Sequence, residues 1–227
     1  MNLTKRSVIL ALDATQSDCS VALEYKGQGY CKSVAASRQH ANVILQLVDE
    51  ILSEANCALS ELDIIAYAQG PGRFTGLRIA CSVAQGLGYG LNIPLCPVSS
   101  LQTLAQGVFR EEITDQVTIL FDARLDEVYV GYYSIKGKNS CENFDDVLLP
   151  INDFLGLDNT SNVFAGCGAL KYKNEILQQI PGVQILEGYL SPNAMDVITI
   201  VKCRTDDHDL IHAKDALPVY LRNKVTS

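Results

Sequence analysis

The chain has 227 residues, enough for one large domain or two small lobes with a hydrophobic core. Its formal net charge of −8 argues against a chain that grips a nucleic-acid backbone by itself, because such binding depends on lysine and arginine. The eight cysteines are scattered without a C-x-x-C pair, a pattern typical of reduced thiols rather than of a zinc site. We find no signal peptide or membrane span and expect a cytoplasmic protein.

The first half of the chain alternates short apolar runs with longer amphipathic stretches. Short apolar runs bounded by turns predict strands, and apolar residues that recur every three or four positions predict helices. The predicted elements are, in order, strands at 8–12 and 19–25, a helix at 40–55, a strand at 64–68, a helix at 76–91, a strand at 93–98 and a helix from Ser99 or Ser100 to Val108. This order predicts an α/β layered domain.

The second half contains a weak repeat of the first. An apolar run ends in Asp-Ala at Asp13 and again at Asp122, 109 positions later (122 − 13), and each time a polar turn and an apolar strand follow. The repeat predicts two lobes, residues 1–108 and 109–227, although any two hairpins share part of this pattern. Further predicted elements are strands at 163–165, 183–186 and 218–222 and helices at 169–179 and 193–202.

Small residues recur every fourth position in the helix predicted at 76–91. In a helix they form one nearly straight stripe, along which another backbone can approach closely. Arg78 and Gln85 make the segment too polar to span a membrane. The stripe therefore indicates either an internal packing contact or a contact with another subunit, and the sequence leaves both open. Its members are Gly76, Ala80, Ala84 and Gly88.

Asp13 and Asp122 have the layout of the actin-like ATPases, in which an acidic residue at a strand end coordinates a magnesium nucleotide through water. Aspartates that merely form turns are the alternative. Alanine follows each aspartate where those ATPases carry glycine, so we do not expect nucleotide hydrolysis by this chain. Gly166 and Gly168, which follow a predicted strand, are candidates for weak nucleotide contacts together with Asp13.

The sequence lacks the usual patterns for catalysis and metal ligation. No lysine occurs between Gln69 and Asn92, so the glycine-rich turn there is not a P-loop. His208 and His212 have the spacing of a metal-binding pair, but their acidic surroundings favour a loop and no glutamate lies between them. No serine stands in a nucleophile elbow. We therefore expect neither a catalytic nor a metal site.

Five motifs, in order along nearly the whole chain, resemble the TsaB family, also called YeaZ. The resemblance implies an α/β fold of the actin-like ATPase (ASKHA, ribonuclease H-like) type, in which two lobes have a duplicated mixed sheet flanked by helices. It also implies a role in the synthesis of N6-threonylcarbamoyladenosine (t6A) at adenosine 37 of tRNAs that read ANN codons. The motifs are A-L-D-A-T at 11–15, S-R-Q-H at 37–40, G-P-G-R-F-T-G-L-R at 70–78, I-P-L-C-P-V-S-S-L at 93–101 and P-V-Y-L-R at 218–222.

The resemblance also implies partners. The family works in a heterodimer with TsaD, its catalytic paralogue, and with TsaE, a small ATPase, while TsaC supplies threonylcarbamoyl-adenylate. ATP and a divalent metal are expected in the partner subunits and no cofactor in this chain, which would meet tRNA only through the complex and no membrane. The metal-ligand positions of TsaD correspond here to Ser100, Leu104 and Pro192, a set that cannot replace three metal ligands.

The helices at 40–55 and 76–91 are the expected surface for TsaD. Without TsaD, the same face is expected to pair with itself as a homodimer. An independent actin-like ATPase or small-molecule kinase is the alternative, and ATP binding that disappears in Asp13→Ala would favour it. The residues predicted at the partner interface are His40, Val43, Ile44, Leu47, Ile51, Gly76, Ile79, Ala80, Val83, Ala84 and Leu87.

Overall fold

The computed structural model describes residues 8–35, 40–111, 113–135, 141–143, 146–157, 161–204 and 209–222. The strands are β1 (Ile9–Asp13), β2 (Asp18–Tyr25), β3 (Gln28–Ala35), β4 (Ile64–Gly70), β5 (Leu95–Ser99), β6 (Gln116–Arg124), β7 (Glu127–Ile135), β8 (Cys141–Asn143), β9 (Val147–Pro150), β10 (Val163–Ala165) and β11 (Gln184–Leu186). The helices are α1 (His40–Ala55), α2 (Phe74–Leu91), α3 (Ser100–Arg110), α4 (Ile151–Leu155), α5 (Cys167–Lys171), α6 (Lys173–Gln179) and α7 (Ala194–Cys203).

The first sheet has the strand order β3-β2-β1-β4-β5. β1 is antiparallel to β2 and parallel to β4, and β4 is parallel to β5. The central strands β1 and β4 are buried on both faces, which explains why their sequences are continuous apolar runs rather than alternating patterns. Because β1 and β4 are parallel, their last residues, Asp13 and Gly70, lie at the same edge of the sheet.

The second sheet repeats the connectivity of the first. Its order is β11-β10-β6-β7-β8, with β9 also paired to β7. β6 is antiparallel to β7 and parallel to β10, as β1 is to β2 and β4. Asp122, near the end of β6, thus stands where Asp13 stands at the end of β1. The duplicated mixed sheet with flanking helices confirms the predicted fold class.

Each sheet lies between two layers of helices. α1 and α2 cover one face of the first sheet, and α7 covers its other face. α3 covers one face of the second sheet, and α4, α5 and α6 cover the other. Since α3 follows the first sheet in the chain and α7 follows the second, each sheet receives one helix from the other half. In the described ranges, no helix has the length and apolarity needed to cross a bilayer.

α3 and α7 meet between the two sheets. The buried carboxylate of Asp196 in α7 pairs with Arg110 at the end of α3, with 2.6 Å between Nη1 and Oδ1. Gly107 makes room for this carboxylate, since a Cβ there would lie 3.1 Å from Asp196 Oδ2. The predicted lobe boundary at residues 108 and 109 falls inside α3, and it stays a prediction. The strands of the two sheets separate near this boundary, but α3 and α7 each pack on the sheet of the other half.

Two helix predictions differ from the structure in their bounds. α2 begins at Phe74, with Arg73 as its N-cap, rather than at residue 76. The helix predicted at 169–179 is divided into α5 and α6 at Tyr172, whose backbone is not helical. The other long helices match closely, and Ser99 caps α3 as predicted, because its hydroxyl accepts hydrogen bonds from two backbone N–H groups of the first turn.

The strand predicted at 218–222 does not form. The segment instead makes isolated contacts, such as the hydrogen bond of 2.8 Å from Val219 N–H to Gln69 O. The short apolar motif packs against other elements and does not form the continuous row of backbone hydrogen bonds that defines a strand. The structure therefore shows an irregular C-terminal strap where the sequence predicts a strand.

Candidate functional site

The predicted partner helices α1 and α2 lie side by side on the first sheet. The inner face of α1 carries Ile44, Leu47 and Ile51, which are almost completely buried against β2 and α2. The amphipathic spacing of 40–55 therefore produces the predicted helix, and its apolar face builds the core of the chain's own lobe.

The small-residue stripe of α2 also packs inward. A Cβ on Gly76 would lie 1.7 Å from Ala14 O, and one on Gly88 would lie 2.5 Å from the Leu95 side chain. Ala80 and Ala84 between them have no exposed surface. The stripe lets α2 lie directly on the backbone at the end of β1, so the internal alternative is the correct one.

This packing corrects the predicted interface for the residues that face inward. Their side chains, or the missing side chain in the case of glycine, are enclosed by the chain itself and cannot touch another subunit. The corrected positions are Ile44, Leu47, Ile51, Gly76, Ala80 and Ala84. Sequence spacing identified the buried stripe of each helix, whereas a partner surface must be on the opposite side.

The outer side of the same helices keeps partly exposed apolar residues. Val43 and Leu45 lie on α1, Ile79, Val83 and Leu87 lie on α2, and Tyr89 near the end of α2 is 81% exposed. Of these, Leu45 and Tyr89 were not predicted. His40 begins α1, but its side chain lies outside the described residues. For Val43, Ile79, Val83 and Leu87 the interface role stays a prediction. We call the six residues, Val43, Leu45, Ile79, Val83, Leu87 and Tyr89, the outer apolar edge.

Asp13 ends β1 inside the molecule. Its side chain is 1% exposed, and its Oδ1 accepts a hydrogen bond of 2.7 Å from Thr15 N–H. Burial raises the pKa of the Asp13 carboxyl to about 7, although the hydrogen bonds from Thr15 oppose this shift. The carboxyl thus closes the turn after β1, as the turn alternative expects.

Asp122 at the equivalent place in the second lobe is engaged by its own neighbours. Lys171 Nζ donates to Asp122 Oδ1 at 2.9 Å, and Arg124 N–H donates to the same oxygen at 3.0 Å. Partial burial raises the pKa of Asp122, but the bonds from Lys171 and Arg124 outweigh it and hold the pKa below its usual value. This carboxylate stays charged and paired.

Several glycines lie near the ends of β1 and β6, a region that we call the cleft. They are packed against the chain's own backbone. A Cβ on Gly166, whose φ is +103°, would lie 2.3 Å from Leu120 O, and one on Gly168 would lie 2.9 Å from the backbone carbon of Phe121. Gly72 likewise lies against Thr15 O. These glycines allow close approach of the chain's own segments.

The turn after β1 is also tied to the second half of the chain. Ser17 Oγ and Ser191 Oγ are 3.0 Å apart, and Cys167 Sγ lies 3.5 Å from Gln16 Oε1. Together with the enclosed Asp13, these contacts tie the turn after β1 to the chain's own residues. The nucleotide contacts of Asp13, Gly166 and Gly168 stay a prediction.

The three positions that correspond to TsaD metal ligands lie apart from any ligand set. Ser100 and Leu104 are buried in the first turns of α3, and Pro192 is buried just before α7. No group of three or more histidine, cysteine or acidic side chains suited to a metal occurs among the described residues, which leave out His208. A single hydroxyl beside a hydrocarbon side chain and a proline ring does not make up the three protein ligands that a catalytic metal usually keeps.

Comparison with known proteins identifies the family. The family model for TsaD, described as tRNA N6-adenosine threonylcarbamoyltransferase, matches residues 32–200. The tRNA threonylcarbamoyladenosine biosynthesis protein TsaB of Haemophilus influenzae is 32% identical over 227 residues, with 96% of this chain and 94% of that protein covered. TsaB of Escherichia coli is 33% identical over 223 residues, with 96% and 95% covered. The chain belongs to the TsaB family.

Similarity to TsaB extends over the whole chain, whereas similarity to a curated TsaD enzyme is local. The tRNA N6-adenosine threonylcarbamoyltransferase of Chromobacterium violaceum is 46% identical over 67 residues, which are 30% of this chain and 20% of that enzyme. The crystal structure of YeaZ from Pseudomonas aeruginosa has a TM-score of 0.84 and 34% identity, and the match covers 95% of this chain and all of YeaZ. As a TsaB family member, the chain acts in t6A biosynthesis on tRNA.

Proposed function

We propose that this TsaB family member is a noncatalytic subunit that works with TsaD and TsaE to transfer threonylcarbamoyl to adenosine 37 of tRNAs reading ANN codons. The outer apolar edge of α1 and α2 carries the proposal, because it keeps partly exposed apolar side chains on the two helices that the resemblance assigns to the partner. We place the complex in the cytoplasm, with ATP and the divalent metal in the partner subunits.

The noncatalytic part of the proposal is supported by the chemistry of the residues in the cleft. Asp13 is enclosed and hydrogen-bonded to Thr15, and Asp122 is paired with Lys171. Neither carboxylate is placed to act on a bound substrate. The positions of Ser100, Leu104 and Pro192 hold no side chain that could replace the ligands of TsaD.

The outer apolar edge supports assembly. Stable interfaces bury about 1,200–2,000 Å² and are rich in aromatic and aliphatic anchors at their centre. Leu45, Val83 and Leu87 supply aliphatic surface, and Tyr89 adds a ring that is mostly exposed. Since the strip is self-complementary in chemistry, it also suits a homodimer in the absence of TsaD.

Charge placed on the outer apolar edge tests the proposal. Leu45→Glu combined with Val83→Glu should weaken binding to TsaD by more than tenfold and reduce t6A formation in parallel, because two carboxylates would be desolvated in the interface. The matched control is Leu177→Glu, an exposed leucine on α6 in the second lobe, which should leave both unchanged. A folded double variant that retains full TsaD binding and full modification would refute this interface.

A further inference from the structure

An exposed cluster of two rings and one guanidinium lies where α2 begins. The ring centroids of Phe74 and Tyr220 are 5.6 Å apart, and the two side chains are 51% and 41% exposed. Arg78 Cζ lies 3.8 Å from the centroid of Phe74, and Arg78 Nε donates a hydrogen bond of 2.8 Å to Tyr220 Oη. The Arg78 guanidinium therefore lies over the Phe74 ring at the surface. We call these three residues the aromatic–arginine cluster.

The cluster lies beside a strap that crosses the mouth of the cleft. Val219 N–H is bonded to Gln69 O near the end of β4, and Arg222 Nη2 donates to Ala123 O near the end of β6 at 2.9 Å. Residues 219–222 thus connect the end of β4 in the first sheet with the end of β6 in the second. Tyr220 enters the cluster from this strap.

Arginines are concentrated along this mouth. Four of the chain's eight arginines lie at the start of α2, at the β6–β7 turn or on the strap. They are Arg73, Arg78, Arg124 and Arg222. We call these four the arginine rim. Arg222 is paired with Glu127, and Arg124 Nη1 lies 3.7 Å from Asp122 Oδ2. In the described part of the chain, Arg73 and Arg78 have no carboxylate within ion-pair distance and are exposed.

A polyanion can approach an acidic protein only where cations gather. The chain carries a net charge of −8, so the positive charge that the rim offers a polyanion comes from Arg73 and Arg78, the two rim arginines without a carboxylate at ion-pair distance in the described residues. Arginine suits phosphate because its planar fork can donate two parallel hydrogen bonds. Exposed rings and stacked guanidinium planes also receive unstacked bases, which is how proteins commonly hold single-stranded RNA. An acidic peptide would use the arginines and leave the rings without a role.

We propose that the arginine rim and the aromatic–arginine cluster together contact the tRNA substrate in the assembled complex. Phosphates of a single-stranded or looped segment lie against Arg73 and Arg78, and an unstacked base packs on the exposed ring of Phe74 or Tyr220. This inference rests on the proposed function, since it requires the complex to present tRNA to this chain. It assigns the chain a direct RNA contact in addition to its assembly role.

The test measures tRNA affinity of the purified complex with TsaD, with and without TsaE, over a range of salt concentrations. Arg73→Gln with Arg78→Gln should weaken tRNA binding about tenfold or more, and should reduce the slope of log affinity against log salt by about 0.7–0.9 for each lost phosphate contact. Tyr220→Leu should weaken binding at all salt concentrations with little change in slope, whereas Tyr220→Phe should bind nearly as well as the original chain.

The control is Lys26→Gln with Lys173→Gln, which removes the same charge from the exposed Lys26 and from Lys173, which is paired with Glu187, away from the cluster. Unchanged tRNA affinity and salt slope in the double-arginine variant would overturn the proposal, as would an equal loss in the lysine control, which would show a general charge effect. Loss of TsaD binding in the double-arginine variant would assign the cluster to the protein interface and also contradict it. Failure of the original chain to bind TsaD would instead refute the proposed function.

Discussion

At the scale of single residues, Gly76 determines whether α2 can lie on the sheet. A methyl group at Gly76 would overlap Ala14 O, whereas one at Gly86 on the same helix meets open space. We expect Gly76→Ala to destabilise the chain by roughly 3 kcal/mol or more, since the clash is with backbone. Gly86→Ala should be neutral or stabilising by up to about 1 kcal/mol. Urea denaturation of both variants checks this, and similar stabilities would show that the close approach is not needed.

The Asp13 carboxyl makes stability depend on pH. Its pKa is about 7 in the folded chain against 3.8 ordinarily, so the folded state holds the proton more tightly than the unfolded state. Between these values, stability from this group falls as pH rises. Asp13→Asn, which can keep the bond from Thr15 N–H, should therefore match the original chain near pH 4 and exceed it by up to about 4 kcal/mol at pH 8.

Denaturation of both proteins across pH 4–8 measures this difference. The difference should grow from about pH 4 to about pH 7, where the unfolded carboxyl is ionised and the folded one keeps its proton, and should level off once the folded carboxyl also loses its proton. A constant difference would mean that Asp13 titrates normally and is not enclosed as described.

At the scale of elements, the contact between α3 and α7 depends on one ion pair. Asp196 is almost fully buried, and burial raises the pKa of its carboxyl to about 7 although Arg110 opposes the shift. Removing the guanidinium would leave a charge without a partner.

We expect Arg110→Met to destabilise the chain by about 1–3 kcal/mol at pH 8 and by less at pH 5, where Asp196 can take up a proton. Arg110→Met with Asp196→Asn should recover part of the loss at pH 8. Thermal denaturation at both pH values gives the comparison. An equal loss at the two pH values would show that the packing of the Arg110 side chain, not its charge, matters.

The helices show what local sequence can and cannot establish. The spacing of apolar residues gave α1 its correct bounds, and the stripe through Ala80 and Ala84 correctly indicated close approach. Spacing does not reveal what approaches, because a sheet of the same chain and a second subunit impose the same period of small residues. The tightest stripe is internal, and the partner surface had to be sought on the outer side.

The candidate surface could not be predicted because its parts are distant in sequence. Arg78 and Tyr220 are 142 positions apart and meet through a hydrogen bond. The strap at 218–222 has the composition of a strand, but tertiary contacts hold it in an irregular path. Local propensity carries no information about either feature.

At the scale of the whole molecule, duplication explains the matching strand orders of the two sheets. Repeated Asp-Ala ends at Asp13 and Asp122 predicted two similar sheets, and the matching strand orders confirm this. The exchange of α3 and α7 between the sheets was not predicted, because a local pattern does not specify which sheet a helix covers. At the two strand ends, Asp13 accepts a hydrogen bond from Thr15 N–H and Asp122 is paired with Lys171.

The central claim, that this chain assists rather than performs the transfer, is tested by reconstitution with labelled threonine and tRNA. TsaC, TsaD and TsaE should form t6A at a measurable rate only when this chain is added, and the chain with TsaC alone should form none. Threonylcarbamoyl transfer to tRNA by this chain without TsaD would contradict the account.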